Sequence, residues 1–233
     1  MIREIDRDIW VAEQPLRYFG LSVGTRMTVV RLTNQELAVI SPIEVNAAIV
    51  QQLNELGTVQ HIIAPNLYHY LFAANFKTIY PKALFWAAPG LTAKKPELPI
   101  DRTIKADDHL IWDGLESIFF AGFKTLGLKG FDALNECVFF HTASRTLILT
   151  DTAFHFDESF PPLTQFAAKI LGGYQSLSPS LLEQLATTDK EPVRKSVKQV
   201  LKWDFDRVVM AHGSIVEQNS KEKFQKGYEQ FLK

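Results

Sequence analysis

The stretch that most constrains the fold is residues 146–150 (Thr-Leu-Ile-Leu-Thr), which lead directly into the carboxylate of Asp151. A short run of apolar and β-branched residues is typical of a buried strand in a covered sheet. A carboxylate at the end of such a strand is costly to bury unless a partner group or a cation meets it. Because ligands gather at strand ends in layered α/β folds, Asp151 is the predicted centre of a functional site.

The composition indicates an ordinary globular protein. The chain has 233 residues, of which 46% are hydrophobic and 22% are charged, and its formal net charge is -1. This balance, without a basic arm, predicts neither a nucleic-acid nor a membrane-surface partner, so the expected partner is a small molecule. The single cysteine, Cys137, excludes an internal disulfide. With no signal core and no apolar stretch of membrane-spanning length, we expect a cytoplasmic protein.

The hydrophobic pattern alternates between strands and helices along the chain. Strands are predicted at residues 9–12, 27–32, 37–40, 59–64, 83–88, 110–112, 115–120, 135–141, 145–150 and 206–213. Helices are predicted at residues 41–57, 66–75, 163–171, 180–186, 191–203 and 220–232. Ser41 and Asn66 are the predicted caps of the first two helices. This order favours one layered domain over two separate ones.

Three predicted strand-to-helix junctions carry candidate metal ligands: His69, Asp151 and His212. If the three strand ends lie side by side, these side chains converge. Two imidazoles and a carboxylate suit Zn, Fe or Mn. The alternative for each residue alone is structural, because a histidine at a helix start often bonds a backbone group and an aspartate after a strand often caps the next helix.

The segments that carry these residues resemble the metallo-β-lactamase superfamily, in particular an uncharacterised bacterial branch of it. Residues 27–42 resemble its opening hairpin, and residues 59–72 resemble the strand and helix that bear its His-x-His-x-Asp-His motif. Residues 146–154 resemble the strand with the bridging aspartate, and residues 208–213 resemble the strand with the last metal histidine.

The motif itself is degenerate. If His69 matches its final histidine, Ala64 and Asn66 replace the two leading histidines and Tyr68 replaces the aspartate. By strand alignment, Asp132 takes the place of the family's middle histidine. The resemblance therefore implies a nearly empty first metal position and at most one metal, with Asp132 as a helper at the second position.

The resemblance implies a four-layer αββα sandwich, with two mixed sheets face to face and helices outside, formed by residues 1–233 as a single domain. It also implies a metal-dependent hydrolase in which His69, Asp151 and His212 hold one divalent cation (Zn, Fe or Mn). Asp151 or Asp132 would orient the attacking water or accept its proton. An ester, a thioester, a lactone and a phosphodiester all remain open as substrates.

The lost motif residues favour an alternative, in which the fold serves as a non-catalytic ligand-binding module. Asn66 and Tyr68 are then predicted to line its pocket. His155, four residues beyond Asp151, is predicted to support the site or contact the ligand. An iron-dependent oxidoreductase is compatible with a site that contains histidine but has no specific support in the sequence.

Overall fold

The computed structural model describes residues 1–105, 112–127 and 130–233. Its strands, in chain order, are β1 (Ile2–Asp6), β2 (Ile9–Gln14), β3 (Arg17–Tyr18), β4 (Leu21–Ser22), β5 (Thr25–Arg31), β6 (Glu36–Ile40), β7 (Thr58–Ala64), β8 (Leu84–Ala87), β9 (Arg102–Thr103), β10 (Leu115–Phe120), β11 (Lys124–Gly127), β12 (Gly130–Ala133), β13 (Glu136–His141), β14 (Thr146–Ile148) and β15 (Arg207–Val209). Its helices are α1 (Ala47–Leu56), α2 (Ala73–Ile79), α3 (Leu91–Lys94), α4 (Pro162–Leu171), α5 (Leu181–Ala186), α6 (Glu191–Val200), α7 (Ser220–Gly227) and α8 (Glu229–Leu232). Most of the predicted strand at 110–112 lies outside the described residues.

The strands form two main sheets. The larger has the order β1-β2-β5-β6-β7-β8-β9; its pairs are antiparallel up to β6 and parallel from β6 onward. The smaller has the order β10-β13-β14-β15, and only its β14–β15 pair is parallel. Two short hairpins, β3–β4 and β11–β12, form separate ladders.

Alternation along the strands divides the core into three apolar layers. In β5, Val29 packs with α1 and α2 on one face, while Val30 points into a cluster shared by the two sheets. In β14, Ile148 enters that shared cluster, while Leu147 packs with α6, α7 and α8. The layers are therefore helices, sheet, sheet and helices, and the predicted αββα sandwich is confirmed. The division of the chain into domains stays a prediction.

Two parallel strand pairs determine where the site forms. β6 and β7 run in register, with Ile40 opposite Ile63, and β14 and β15 pair Ile148 with Val209. Because parallel strands finish at the same edge of a sheet, the segments that follow each pair emerge side by side.

Two helices begin later than predicted. α1 starts at Ala47, where the Asn46 side chain accepts a hydrogen bond from the backbone N–H of Ile49. Ser41 is therefore not a helix cap, and its φ of +54° lies in the left-handed region. α2 starts at Ala73, and residues 66–72 form turns instead of a helix. β1 and the two short hairpins lie where no strand was predicted. Among the described residues, no helix combines the length and apolar character needed to cross a bilayer.

Candidate metal centre

Side chains from three strand ends meet at one edge of the sandwich. One ligand atom each from His69, Asp151 and His212 lies within 4.8 Å of the other two. Nε2 of His69 is 3.3 Å from Oδ1 and 3.2 Å from Oδ2 of Asp151, and Nε2 of His212 is 3.5 Å from Oδ1. The three predicted ligand candidates thus face one another, and all three side chains are less than one-fifth exposed.

Both imidazoles are held by hydrogen bonds at Nδ1. The Nδ1 of His212 lies 2.5 Å from the carbonyl oxygen of Gly24, and the Nδ1 of His69 lies 2.7 Å from Oγ of Ser41. A carbonyl can only accept, so Nδ1 of His212 carries the proton and its Nε2 presents a lone pair toward Asp151. The Ser41 hydroxyl can accept in the same way from His69. Such outer hydrogen bonds commonly fix the orientation of metal-binding histidines.

Glu136 is a buried carboxylate that the sequence pattern did not single out. Its Oε1 accepts hydrogen bonds from Thr150 N and Thr152 Oγ1, both at 2.8 Å. Its Oε2 accepts from Asp151 N at 2.7 Å and from Asn66 Nδ2 at 3.2 Å. Four donors therefore surround the two oxygens, which is the environment that an ionised carboxylate requires in a protein interior. The contacts fix the turn after β14 that presents Asp151.

Asn66 supports Asp151 from the opposite side. Its fully buried amide donates to Oδ2 of Asp151 at 2.8 Å and to Oγ1 of Thr150 at 3.0 Å. Its carbonyl oxygen accepts the backbone N–H groups of Tyr68 and His69, so it also shapes the turn that carries His69. Asn66 is not among the residues that line the cavity described below, and the contact between its side chain and substrate stays a prediction.

Burial and the local charges shift the pKa values of the site residues in different directions. Burial would raise the pKa of Asp151, but the charge of His69, its hydrogen bond to His69 and the charge of His212 together hold that pKa well below its usual range. Burial would lower the pKa of His69, but the charge of Asp151, the hydrogen bond to Asp151 and the charge of Glu136 together outweigh it, and the pKa is raised. Burial dominates at His212 and lowers its pKa. Burial, followed by the charge of Asp151, raises the pKa of Glu136.

Asp132 lies outside the group of converging ligand atoms, on the exposed hairpin strand β12. Its charge acts on Tyr68, whose pKa is raised to about 12 by burial first and by Asp132 second. The Tyr68 hydroxyl is buried and finds no well-formed hydrogen bond among the described residues. Glu136 and Asn66 are the side chains that hold Asp151 in place, and the role of Asp132 toward an attacking water stays a prediction.

His155 is also removed from the cavity wall. Its backbone oxygen accepts from Ser214 N at 2.7 Å, and its Nδ1 is buried without a partner among the described residues. Gly213 has a φ of +91°, and a Cβ there would stand 2.2 Å from the His155 oxygen, so only glycine fits. This packing holds the His212 segment close to residue 155. The ligand contact of His155 stays a prediction.

Arg26 clamps the His212 segment from the larger sheet. Its guanidinium donates to the carbonyl oxygen of Met210 and, at 2.8 Å, to that of Gly213. Nε of the same side chain pairs with Glu13 at 2.8 Å. The buried arginine therefore joins the two sheets directly beside the site.

The three converging side chains form part of the wall of a cavity of about 390 Å³. The rest of the wall comes from the β3–β4 hairpin, the turns at 66–72, α4 and α5, and it is mostly aliphatic and aromatic. A cavity of this size matches the lower range of small-molecule sites. The arrangement joins a cluster of two imidazoles and a carboxylate to an apolar chamber.

Ser41→Ala is expected to weaken divalent-metal affinity by about 10- to 100-fold, because it removes the partner that orients the His69 ring. Titration of metal-free protein with Zn²⁺ measures the effect. Ser117→Ala, a buried serine in β10, is the control, and its metal affinity should match that of the unmodified protein. Unchanged affinity in Ser41→Ala would show that Ser41 does not position a ligand.

Comparisons with known proteins agree on the fold. A family model described as a domain of unknown function (DUF4336) matches residues 6–173. No curated protein matches the chain.

Similar solved structures include a metallo-β-lactamase from Pontibacter korlensis, with 14% identity, coverage of 98% of each chain and a TM-score of 0.65. Another is the mono-zinc form of the metallo-β-lactamase FIM-1 from Pseudomonas aeruginosa, with 11% identity, coverage of 99% of this chain and 95% of the other, and a TM-score of 0.67.

A metallo-β-lactamase from Erythrobacter litoralis is similar too, with 13% identity, coverage of 98% of this chain and 96% of the other, and a TM-score of 0.66. At these identities the likeness establishes the fold alone. The resemblance seen in the sequence is thereby confirmed as a metallo-β-lactamase fold.

Proposed function

This chain belongs to the family described as a domain of unknown function (DUF4336), and from the geometry of its site we propose that it is a hydrolase dependent on one divalent cation. The observation that carries this proposal is the convergence of two Nε2 atoms and one carboxylate on the wall of a cavity. The wall gives a substrate access to the same atoms.

The donor set fits a divalent transition metal. His69 and His212 each have Nδ1 engaged by a neighbour and Nε2 turned toward Asp151, which is the arrangement a ligating imidazole needs. Asp151 supplies a carboxylate held in its charged form. Three protein ligands of this kind leave a coordination position open for chemistry, as in catalytic zinc sites. Zn, Fe and Mn all suit this combination of imidazole and carboxylate.

A bound divalent cation would supply Lewis acidity for a substrate oxygen and a water nucleophile at neutral pH. The chain's own residues orient the reacting groups. Oδ1 of Asp151, the oxygen that Asn66 does not engage, faces both histidines and can orient the attacking water by accepting a hydrogen bond from it. Tyr68 lines the cavity, and because its pKa is about 12 its hydroxyl stays protonated at neutral pH and can donate to the substrate.

We expect one equivalent of metal per chain, because Ala64 and Asn66 stand where the His-x-His-x-Asp-His motif of the metallo-β-lactamase superfamily has its two leading histidines. Ala64 offers no ligand atom, and the Asn66 amide turns N–H donors toward Asp151 and Glu136. Metal-free protein titrated with Zn²⁺ and measured by elemental analysis after desalting tests this stoichiometry. Two equivalents, both lost when Asp151 is replaced, would contradict the single-metal proposal.

The proposed activity is tested with carboxylic esters, thioesters, lactones and phosphodiesters, each assayed on metal-free protein and on protein supplied with Zn, Fe or Mn. Turnover that appears only with metal supports the hydrolase. Absence of turnover of all four substrate classes with each of the three metals would refute the hydrolase proposal.

A second candidate is the non-catalytic ligand-binding module. The observation that favours it is that Asp151 and Glu136 already have hydrogen-bond partners without a cation. A thermal-shift screen discriminates, because a ligand that binds the folded state raises the melting temperature. Stabilisation by a divalent metal supports the hydrolase, whereas stabilisation by organic ligands alone supports the binding module.

A further inference from the structure

The cavity that contains the metal candidates has an apolar lining over most of its wall. On α4, Ala167, Ala168 and Leu171 face the cavity, and Phe154 and Phe156 close it beyond the Asp151 turn. Moving an apolar group from water onto such a surface is favourable by about 25 cal/mol per Å² of apolar area buried. The wall therefore favours a hydrocarbon group over a hydrated one.

The mouth of the cavity is apolar as well. Phe19 and Tyr18 at the tip of the β3–β4 hairpin, Leu71 in the turns and Leu182 in α5 line the cavity and are also exposed, with Phe19 exposed by 80% and Leu71 by 68%. Large apolar side chains exposed together around a cleft are typical of a ligand-binding surface. These four side chains extend the apolar wall of the cavity to its entrance.

Two carboxylates lie on this wall, and the charge of His69 is paired with one of them, Asp151. Asp151 and Glu183 both line the cavity, and among the described residues no lysine or arginine does so. An anionic group inside the cavity would therefore meet Glu183 without a fixed cation to compensate for the repulsion.

Glu183 has a fixed position in the wall. It is 8% exposed, its Oε1 accepts from Thr125 Oγ1 at 3.1 Å, and its Oε2 accepts from Ser180 Oγ. Ser180 also caps α5, so the carboxylate is tied to the start of that helix. Burial raises the pKa of Glu183, and the charge of Asp151 adds to this rise, whereas the hydrogen bonds from Ser180 and Thr125 oppose it and favour the charged form.

We infer that the cavity takes the uncharged, apolar acyl group of a carboxylic ester, and that Glu183 disfavours substrates with an anionic group at that position. This inference rests on the proposed function and narrows it, since it selects carboxylic esters over phosphodiesters, which carry a negative charge at the reacting centre. In the reaction, the oxygen of water bonds to the acyl carbon and the acyl C–O bond breaks. The leaving alcohol takes a proton, and the products are a carboxylic acid and an alcohol.

Binding to metal-free protein tests the inference without any activity. The probes are 1-octanol and octanoate, which share a hydrocarbon chain and differ in charge, and the readout is calorimetric titration. We expect 1-octanol to bind at least tenfold more tightly than octanoate. Glu183→Gln, which keeps the size of the side chain and removes its charge, should reduce that preference at least threefold. Equal affinity for the two probes, or an unchanged preference in Glu183→Gln, would overturn the inference.

A variant that fills the chamber locates the binding site. Ala167→Phe places a ring on the cavity face of α4 and should lower affinity for 1-octanol at least tenfold. The matched control is Ala48→Phe, on an exposed position of α1, which should bind 1-octanol as the unmodified protein does. Equal affinity in the two variants would contradict the assignment of the cavity.

Kinetics separate this inference from the proposal of a hydrolase. With metal supplied, p-nitrophenyl octanoate should exceed p-nitrophenyl acetate in kcat/KM at least tenfold, and bis(p-nitrophenyl) phosphate should be the poorest substrate. Hydrolysis without this order overturns the inference and leaves the hydrolase intact. The expected binding preferences without hydrolysis of any ester support the apolar cavity and refute the hydrolase.

Discussion

His212→Ala is expected to lower divalent-metal affinity by more than about 100-fold. Loss of a residue that only hydrogen-bonds a metal ligand lowers metal affinity by about 10- to 100-fold, and loss of a ligand itself should have a larger effect. The variant removes Nε2, which lies 3.5 Å from Asp151 Oδ1, and leaves only His69 and Asp151 as donors. Folding should persist, since the variant loses one hydrogen bond, to Gly24, worth about 1 kcal/mol. Calorimetric Zn²⁺ titration and urea unfolding of the same preparation measure the two effects.

The matched control for this variant is His61→Ala. His61 is partly buried in β7 and contacts Glu36 and Trp86, at a position outside the group of converging ligand atoms. Its loss removes an imidazole without touching the site, so metal affinity should be unchanged. If His212→Ala retains the affinity of this control, His212 is not a ligand.

Glu136→Leu is expected to destabilise the protein by at least about 3 kcal/mol, because a buried donor left without a partner costs about 1–3 kcal/mol. The change leaves three donors unsatisfied, which are the backbone N–H groups of Thr150 and Asp151 and the hydroxyl of Thr152. A loss of this size is a large share of the total stability of a typical protein, about 5–15 kcal/mol. Urea unfolding of metal-free protein measures it, so that changes in metal binding do not contribute.

Two further variants calibrate that measurement. Glu136→Gln keeps the shape and one acceptor oxygen but turns an NH₂ group toward two donors, so its loss should be intermediate. Glu222→Leu makes the same chemical change on the exposed face of α7 and should alter stability by less than about 0.5 kcal/mol. A Glu136→Leu variant as stable as Glu222→Leu would refute the role of Glu136 as the support of the Asp151 turn.

The sequence allowed the elements that carry the candidate ligands to be predicted, because their patterns are local. The apolar runs before Asp151 and His212 are long enough to identify strands β14 and β15, and the polar residue that ends each run is visible in the sequence. His69 was found through its place after β7 and through the resemblance of the surrounding segment to a known motif. Local pattern and motif position were sufficient for these three side chains.

The supporting residues could not be predicted, because their partners are far away in sequence. Ser41-Pro42-Ile43-Glu44 has the form of a helix-capping signal, but the Ser41 hydroxyl instead bonds His69, 28 residues later. Glu136 opens an apolar strand, and nothing nearby indicates that it would accept hydrogen bonds from the end of β14. β13 pairs with β14 as predicted, but the pairing alone does not show that a carboxylate at the start of one strand accepts hydrogen bonds from the turn after the other.

The cavity could not be predicted from the sequence either, because its wall joins segments that are far apart along the chain. Its wall combines the β3–β4 hairpin, which has only two residues in each strand, with α4 and α5 from the second half of the chain. The apolar residues of α4 were correctly predicted to form a helix. However, helical periodicity does not distinguish a face that packs against a core from one that lines a chamber.

The most direct test of the central claim is an anomalous-difference map from crystals grown with Zn²⁺ and measured on both sides of the zinc absorption edge. We predict a single strong peak at about 2.0–2.2 Å from Nε2 of His69, Nε2 of His212 and a carboxylate oxygen of Asp151. Two peaks bridged by Asp151, or no peak within reach of these three side chains, would contradict it.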